Sequence, residues 1–367
     1  MRHLPRDHFP LLFDALKAKG YAVFAPVVTD GHLAYEACET PAQMTEGLTI
    51  AESAGHFSYE VTDSPRFFAW AKGPQSLKAF LFAPEEPLWT AKADNDGIVF
   101  TEKKPPDQPI AVIGARACDL AALKLQDAHF LHGTFPDPYY RARRDNFFVV
   151  AVNCAYSGET CFCVSTGDGP TASNGYDLVL DELEEGFLLE AGSDKGQAIL
   201  SALPTEDETE ALLEAAMRQR EDAKHRMQKT LRADAREVLL DKLLARHWED
   251  VASRCLSCSN CTAVCPTCFC HREKDVPDFD QTSHVRVWDS CFTKEHSYIH
   301  GFVVRPETAF RYRQWITHKL AFWQDQYGRS GCVGCGRCIT HCPVGIDITE
   351  EVEALAHESL PSAPSAH

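Results

Sequence analysis

Long apolar runs are missing from this chain. The most apolar stretch, Phe147-Phe148-Val149-Val150-Ala151-Val152, is far too short to cross a bilayer, which needs about 20 residues as a helix. The first residues, Met1-Arg2-His3-Leu4-Pro5, lead into mixed sequence without the apolar core of a secretory signal. The expectation is a cytoplasmic protein with no direct membrane insertion, attached to a membrane only through a partner if at all. An excess of positive charge is also missing: the formal net charge is -17. Nucleic-acid binding needs concentrated Lys and Arg, so a nucleic-acid partner is excluded as a general property. The acidic balance reads as a solvated surface.

Catalytic signatures are equally scarce. The sixteen histidines form no H-E-x-x-H, and there is no G-x-S-x-G nucleophile elbow. A strand–helix–strand crossover is expected from Pro109–Gly114, Cys118–Phe130 and Phe147–Asn153. Only Gly114 occupies its first turn, so the nucleotide-binding G-x-G-x-x-G and Walker sequences are absent and the unit reads as scaffold.

The rest of the organisation follows from periodicity. His8–Lys19 has helical spacing of Phe9, Leu12, Phe13 and Leu16 and stops at Gly20; Tyr21–Val28 follows as a strand. Asp177–Leu183 and Gly186–Glu190 read as a hairpin. From Thr205 to about Val251 the chain is rich in Ala, Leu, Glu, Lys and Arg, which predicts one long or two consecutive helices. The fold class expected is α+β, with a mixed α/β N-terminal domain over 1–204, a helical connector over 205–251 and a second domain over 252–356. The stretch 357–367 reads as a disordered tail.

Cysteine is abundant: sixteen residues, eleven of them after Arg254. In a reducing cytosol such a chain binds metal before it forms disulfides. Two runs stand out, Cys255-x2-Cys258-x2-Cys261-x3-Cys265-Pro266 and Cys332-x2-Cys335-x2-Cys338-x3-Cys342-Pro343. Both have the C-x2-C-x2-C-x3-C-P spacing of two-cluster ferredoxins, in which the fourth cysteine serves the other cluster. That rule predicts two [4Fe-4S] clusters. Cluster I takes Cys255, Cys258, Cys261 and Cys342; cluster II takes Cys332, Cys335, Cys338 and Cys265. Paired zinc knots are the competing reading, but zinc favours ligands in two separated pairs.

The two runs lie far apart, and between them Phe310–Tyr327 has helical character. An α-helical ferredoxin domain is therefore expected, with Arg311, Arg313, His318 and Lys319 placing positive charge near a cluster or on a solvated or docking face. Seven further cysteines remain: Cys118, Cys154, Cys161 and Cys163 in the N-terminal half, and Cys268, Cys270 and Cys291 after the first run. They are candidates for a third Fe-S cluster, drawn from either set or from both. The bland alternative is that they are small buried hydrophobes. Isolated Cys38 reads as structural.

Longer segments carry a family resemblance. They are G-A-R-A-C-D-L-A-A-L at Gly114–Leu123, the N-C…C-F-C loop at Asn153–Cys163, C-T-A-V-C-P-T-C-F-C at Cys261–Cys270, R-V-W-D-S-C at Arg286–Cys291, and G-C-V-G-C-G-R-C-I-T-H-C-P-V-G-I-D-I at Gly331–Ile348. Together they resemble the β subunits of cytoplasmic [NiFe] sulfhydrogenases and the related A subunit of anaerobic sulfite reductase. Where the family often has proline, this chain has Ala117. The resemblance implies a non-catalytic iron–sulfur electron-transfer subunit of a hetero-oligomer. Its partners would be a flavin/NAD(P)H-binding subunit and the small and large subunits of a [NiFe] hydrogenase. The alternative partner set is that of a siroheme sulfite reductase. A standalone redox enzyme would need a catalytic constellation, and the sequence offers none.

Overall fold

The computed structural model describes residues 1–359. Most of the predicted tail, residues 360–367, lies outside the described residues, while His357 still closes the helix Ile348–His357.

The N-terminal half is built on a seven-stranded sheet. Its order is Arg2–Pro5, Gly186–Ala191, Leu178–Glu182, Phe147–Val152, Ile110–Ala115, Ala22–Thr29 and His32–Ala37. The four inner strands, from Leu178–Glu182 to Ala22–Thr29, run parallel, and antiparallel strands close both edges. The unbroken apolar run at Phe147–Val152 is explained by burial on both faces. Phe148, Val150 and Val152 face one core with Phe9, Leu12, Phe13 and Leu16 of the first helix. Phe147, Val149 and Ala151 face another with Leu120, Leu123 and Phe130 of the helix Ala117–Leu131. Both the crossover and the hairpin expected from the sequence are present. Gly114 adopts φ +105° at a bulge, where a Cβ would come within 2.9 Å of Pro26. It thereby turns the chain toward Arg116 and Cys118.

The connector departs from expectation. Three helices occupy it, Glu210–His225, Ala235–Asp241 and His247–Arg254. Helix propensity between them yields to tertiary partners: Leu231 donates its backbone N–H to Ser165, Lys229 pairs with Asp347, and Arg232 pairs with Glu353.

The C-terminal half packs these last two helices with Thr308–Thr317, a single π-helical turn at His318–Phe322 and Ile348–His357 around an apolar core, while Trp323 of Trp323–Tyr327 packs against Leu125, Val333 and Cys335. Helical character at Phe310–Tyr327 is thus present. Between the cysteine runs the chain also forms an unforeseen β-hairpin, His271–Pro277 and Gln281–Trp288. It joins Glu85–Asp94 and Gly97–Glu102 in one four-stranded antiparallel sheet. Buried Glu86 anchors that sheet, accepting two 2.6 Å bonds from Arg143 and pairing with Arg286. Among the described residues no helix is long and apolar enough to cross a membrane.

Candidate functional site

Each cysteine run forms a loop that ends in a short helix, Asn260–Ala263 in the first and Arg337–Thr340 in the second. The two loops share one backbone design. Ser257 and Ser259 have φ +52° and +67°; the equivalent Gly334 and Gly336 have +63° and +71°. This curl aims an N–H at the first sulfur of each run: Ser257 donates to Cys255 Sγ and Gly334 to Cys332 Sγ, both at 3.4 Å. Ile346 donates to Cys342 Sγ at 3.3 Å. Backbone donors aimed at sulfur suit thiolates bound to iron, which carry negative charge.

The thiols fall into groups. Cys291, Cys255, Cys342 and Cys258 are the thiol neighbours of Cys261, and the last three line one apolar pocket with it and with Tyr312, Trp315 and Ile346. Cys332, Cys335 and Cys265 are the nearest thiol neighbours of Cys338, which also touches the first pocket. Each run's fourth cysteine therefore sits with the other run's first three. The short helices bridge the two groups, one from Cys261 to Cys265 and the other from Cys338 to Cys342.

Burial pushes the Cys261 and Cys338 thiols well up, followed by repulsion from Cys291 and Cys255 for Cys261 and from Cys332 and Cys335 for Cys338. Burial likewise raises Cys332 to about 12. So dense a set of buried thiolates needs cationic compensation, which iron would supply. No three His, Cys, Asp or Glu side chains among the described residues stand close enough for a single metal ion. A tetrahedral zinc site would require sulfurs all about 2.3 Å from one centre.

The two loops sit in different surroundings. Cys258 is exposed and Leu256 beside it is 64% exposed, whereas Cys332 and Cys335 are buried. Of the four cationic residues noted on the helix Thr308–Tyr327, one reaches a thiol. Lys319, on the π-helical turn, is buried with its Nζ 3.5 Å from Cys265 Sγ and 2.7 Å from Thr267 Oγ1. Burial pulls its pKa down, but Cys265 and Cys268 outweigh this and hold it charged. The Cys265 thiol is lowered by a hydrogen bond from Cys268 and by Lys319. Arg311 instead caps the carbonyls of Arg305 and Pro306, Arg313 binds the carbonyl of Leu243, and burial lowers the pKa of His318 to about 4.

The seven surplus cysteines separate into two sets. Cys268, Cys270 and Cys291 line a cavity of about 110 Å³ with His296 and Lys319. Asp289 holds the His296 ring at 3.2 Å; hydrogen bonds to Asp289 and Cys270 raise its pKa to about 9. Cys118, Cys154, Cys161 and Cys163 gather on the far side of the second loop, where Cys161 Sγ lies 4.0 Å from the carbonyl of Cys335. Cys38 is buried apart from both, its thiol donating to the carbonyl of Thr40.

Sequence reasoning missed the buried cations Lys72, Arg116 and Arg337, which lie among these thiols. Their spacing in the chain carries no signal; only folding brings them together.

Comparison with known proteins agrees with this geometry. A family profile described as "4Fe-4S dicluster domain" matches residues 254–346. The chain is 34% identical over 351 residues to sulfhydrogenase 2 subunit beta of Pyrococcus furiosus, covering 94% of this chain and 95% of that one. The match takes in the N-terminal sheet as well as both cysteine loops, and the chain belongs to the sulfhydrogenase β-subunit family.

Proposed function

We propose that this chain is the electron relay of a hydrogenase complex. It carries two [4Fe-4S] clusters with crossed ligation: Cys255, Cys258, Cys261 and Cys342 hold one, and Cys332, Cys335, Cys338 and Cys265 hold the other. The observation that carries this reading is the exchange of fourth cysteines between the two loops. The bound clusters supply one-electron chemistry. The protein's own part is to hold them close through the helices Asn260–Ala263 and Arg337–Thr340, to exclude water from the second loop, and to set its charge with Lys319.

The reading places the chain in the cytoplasm, between a flavin/NAD(P)H-binding subunit and the small subunit that serves the [NiFe] centre. The relative's name, a sulfhydrogenase subunit, supports that partner set over a siroheme one. Exposure around Cys258 supports electron exchange with a partner at the first cluster. The reading also divides the chain at 1–204, 205–251 and 252–356, with the helices of the last unit carrying the cluster loops.

Crossed ligation is tested by Cys265→Ser in the anaerobically purified chain. Paramagnetic resonance should show the cluster of Cys332, Cys335 and Cys338 altered, although the substitution lies in the other run. If only the Cys255 cluster changed, the pairing would be wrong.

A further inference from the structure

Four cysteines outside the paired runs meet in the interior. Cys154, Cys161 and Cys163 come from the loop after the strand Phe147–Val152, and Cys118 from the first turn of the helix Ala117–Leu131. All four are buried, between 5% and 9% exposed. Cys163 neighbours Cys161 and Cys154, Cys118 neighbours Cys163, and both Cys118 and Cys163 also neighbour Cys335 of the second loop.

Small buried hydrophobes would need no charged company, yet these thiols have three buried cations. Lys72 Nζ lies 3.4 Å from Cys161 Sγ, Arg116 neighbours Cys154, and Arg337 neighbours Cys118. Lys72, Arg116 and Arg337 are each at most 3% exposed. Glu52 offsets Lys72 and Asp119 offsets Arg337. Arg116 has no carboxylate within ion-pair distance among the described residues. Its Nη2 donates to the carbonyls of Phe68 and Trp70, and the Trp70 ring covers it at 4.7 Å. Arg116 Nε and Nη1, and Arg337 Nη1, are buried without a partner. A buried guanidinium without an anion beside it is destabilising. The neighbouring thiols supply the missing anion only when ionised, which metal binding accomplishes.

The set is also held against the second cysteine loop by backbone contact. Phe162 donates its N–H to the carbonyl of Gly334 at 2.8 Å. A Cβ on Gly334 would lie 2.5 Å from Cys163 Cα, and one on Gly336 2.2 Å from the carbonyl oxygen of Thr160. Four thiolates complete the ligand set of a four-iron cluster. The other surplus set, Cys268, Cys270 and Cys291, has three.

We propose that Cys118, Cys154, Cys161 and Cys163 hold a third [4Fe-4S] cluster, seated between the N-terminal sheet and the second cysteine loop. The assignment goes beyond the two-cluster relay and rests on it only for the identity of the neighbouring redox centre. Reduction of the new centre by one electron is balanced by one-electron oxidation of the centre at Cys335, with no bond made or broken. The N-terminal domain thereby becomes part of the electron path.

The test uses the full chain, reconstituted anaerobically with ferrous iron and sulfide in the presence of competing zinc. Iron, acid-labile sulfide and zinc are counted per chain. The wild type should hold about twelve irons and the triple variant C154S/C161S/C163S about four fewer, while C270S/C291S should match the wild type. The difference of four belongs to this proposal, and the irons left in the triple variant, about eight, test the two-cluster reading. Equal counts in wild type and triple variant overturn the proposal, as does a zinc lost in place of irons or a loss confined to C270S/C291S. Should the triple variant not fold, spin integration of the dithionite-reduced wild type decides. About three reduced clusters per chain support the assignment, and about two overturn it.

Discussion

Serine and glycine occupy equivalent left-handed positions in the two cysteine loops for different reasons. Ser257 and Ser259 are half-buried and carry the backbone cost of about 1–2 kcal/mol, which at Ser257 is offset by hydrogen bonds of its hydroxyl with Thr308 and Arg311. Gly334 and Gly336 escape that cost, and a side chain at either would meet it and also press on the backbone of residues 160–163. Gly336→Ala should therefore destabilise the chain by more than about 3 kcal/mol, because the clash is with a carbonyl that cannot move cheaply. Gly20→Ala provides the comparison: φ is +86° but nothing lies within 4 Å of a Cβ there, so about 1–2 kcal/mol is expected. Denaturant midpoints of the two variants, measured under the same anaerobic conditions, check the contrast. Ser259→Gly should shift stability by less than about 1 kcal/mol, since relief of strain is offset by entropy of the unfolded chain.

The π-helical turn His318–Phe322 is the element that brings charge to the second loop. It inserts Lys319 between Cys265 and Thr267 and places the ammonium 5.1 Å from the Trp323 ring. A unit charge about 5 Å away at an effective dielectric of about 20 is worth roughly 3 kcal/mol, on the order of 100 mV for one electron. Lys319→Met should lower the potential of the second cluster by a fraction of that, tens of millivolts, while the first cluster stays put. A redox titration followed by paramagnetic resonance reads both. On the helix Ala117–Leu131, His129 stacks on Phe269 at 3.5 Å and its Nδ1 shares a hydrogen bond with the Tyr327 hydroxyl at 2.7 Å. Burial, then the nearby His271, depresses its pKa to about 4. The unfolded chain takes up this proton near pH 6.5, so stability should fall as pH drops from about 6.5 toward 4. The full contribution is about 2 kcal/mol once partial exposure is allowed for. His129→Gln should flatten that limb of the stability–pH curve, measured by urea unfolding.

On the scale of the whole molecule, the two halves are bound by strands as well as by side chains. The hairpin His271–Trp288 pairs with Glu85–Asp94, and Lys78 reaches the carbonyls of Thr262 and Ala263 in the first cysteine loop. Such a joint fixes the first cysteine loop against the N-terminal half. In the assembled complex, Cys335→Ala should abolish electron flow between NAD(P)H and hydrogen. Hydrogen oxidation with an artificial dye should stay near the unmutated rate, because the dye accepts electrons upstream. Retention of full NAD(P)H-coupled turnover by this variant would place the second cluster off the path. The isolated chain should accept electrons from a strong reductant yet neither evolve hydrogen nor oxidise NAD(P)H.

The two cysteine runs of the dicluster domain and the parallel crossover were legible in the sequence because both rest on local spacing. Three thiols two residues apart specify a loop, and a run such as Phe147–Val152 specifies a strand buried on both faces. The hairpin at 271–288 was not legible. Its first strand, His-Arg-Glu-Lys-Asp-Val-Pro, is exposed along its length and shows no alternation, and it is held by pairing with Gln281–Trp288. The break in the connector at Arg226–Asp234 was hidden for a related reason, since helix propensity there lost to ion pairs with the last helix. Sequence spacing by itself determined that this chain holds eight cysteines in ferredoxin order. Only the tertiary structure decided that Cys118 and the Cys154–Cys163 loop share an interior with Lys72, Arg116 and Arg337. Those residues are scattered from position 72 to 337, and nothing local relates them until the sheet, the crossover helix and the second loop close on one another.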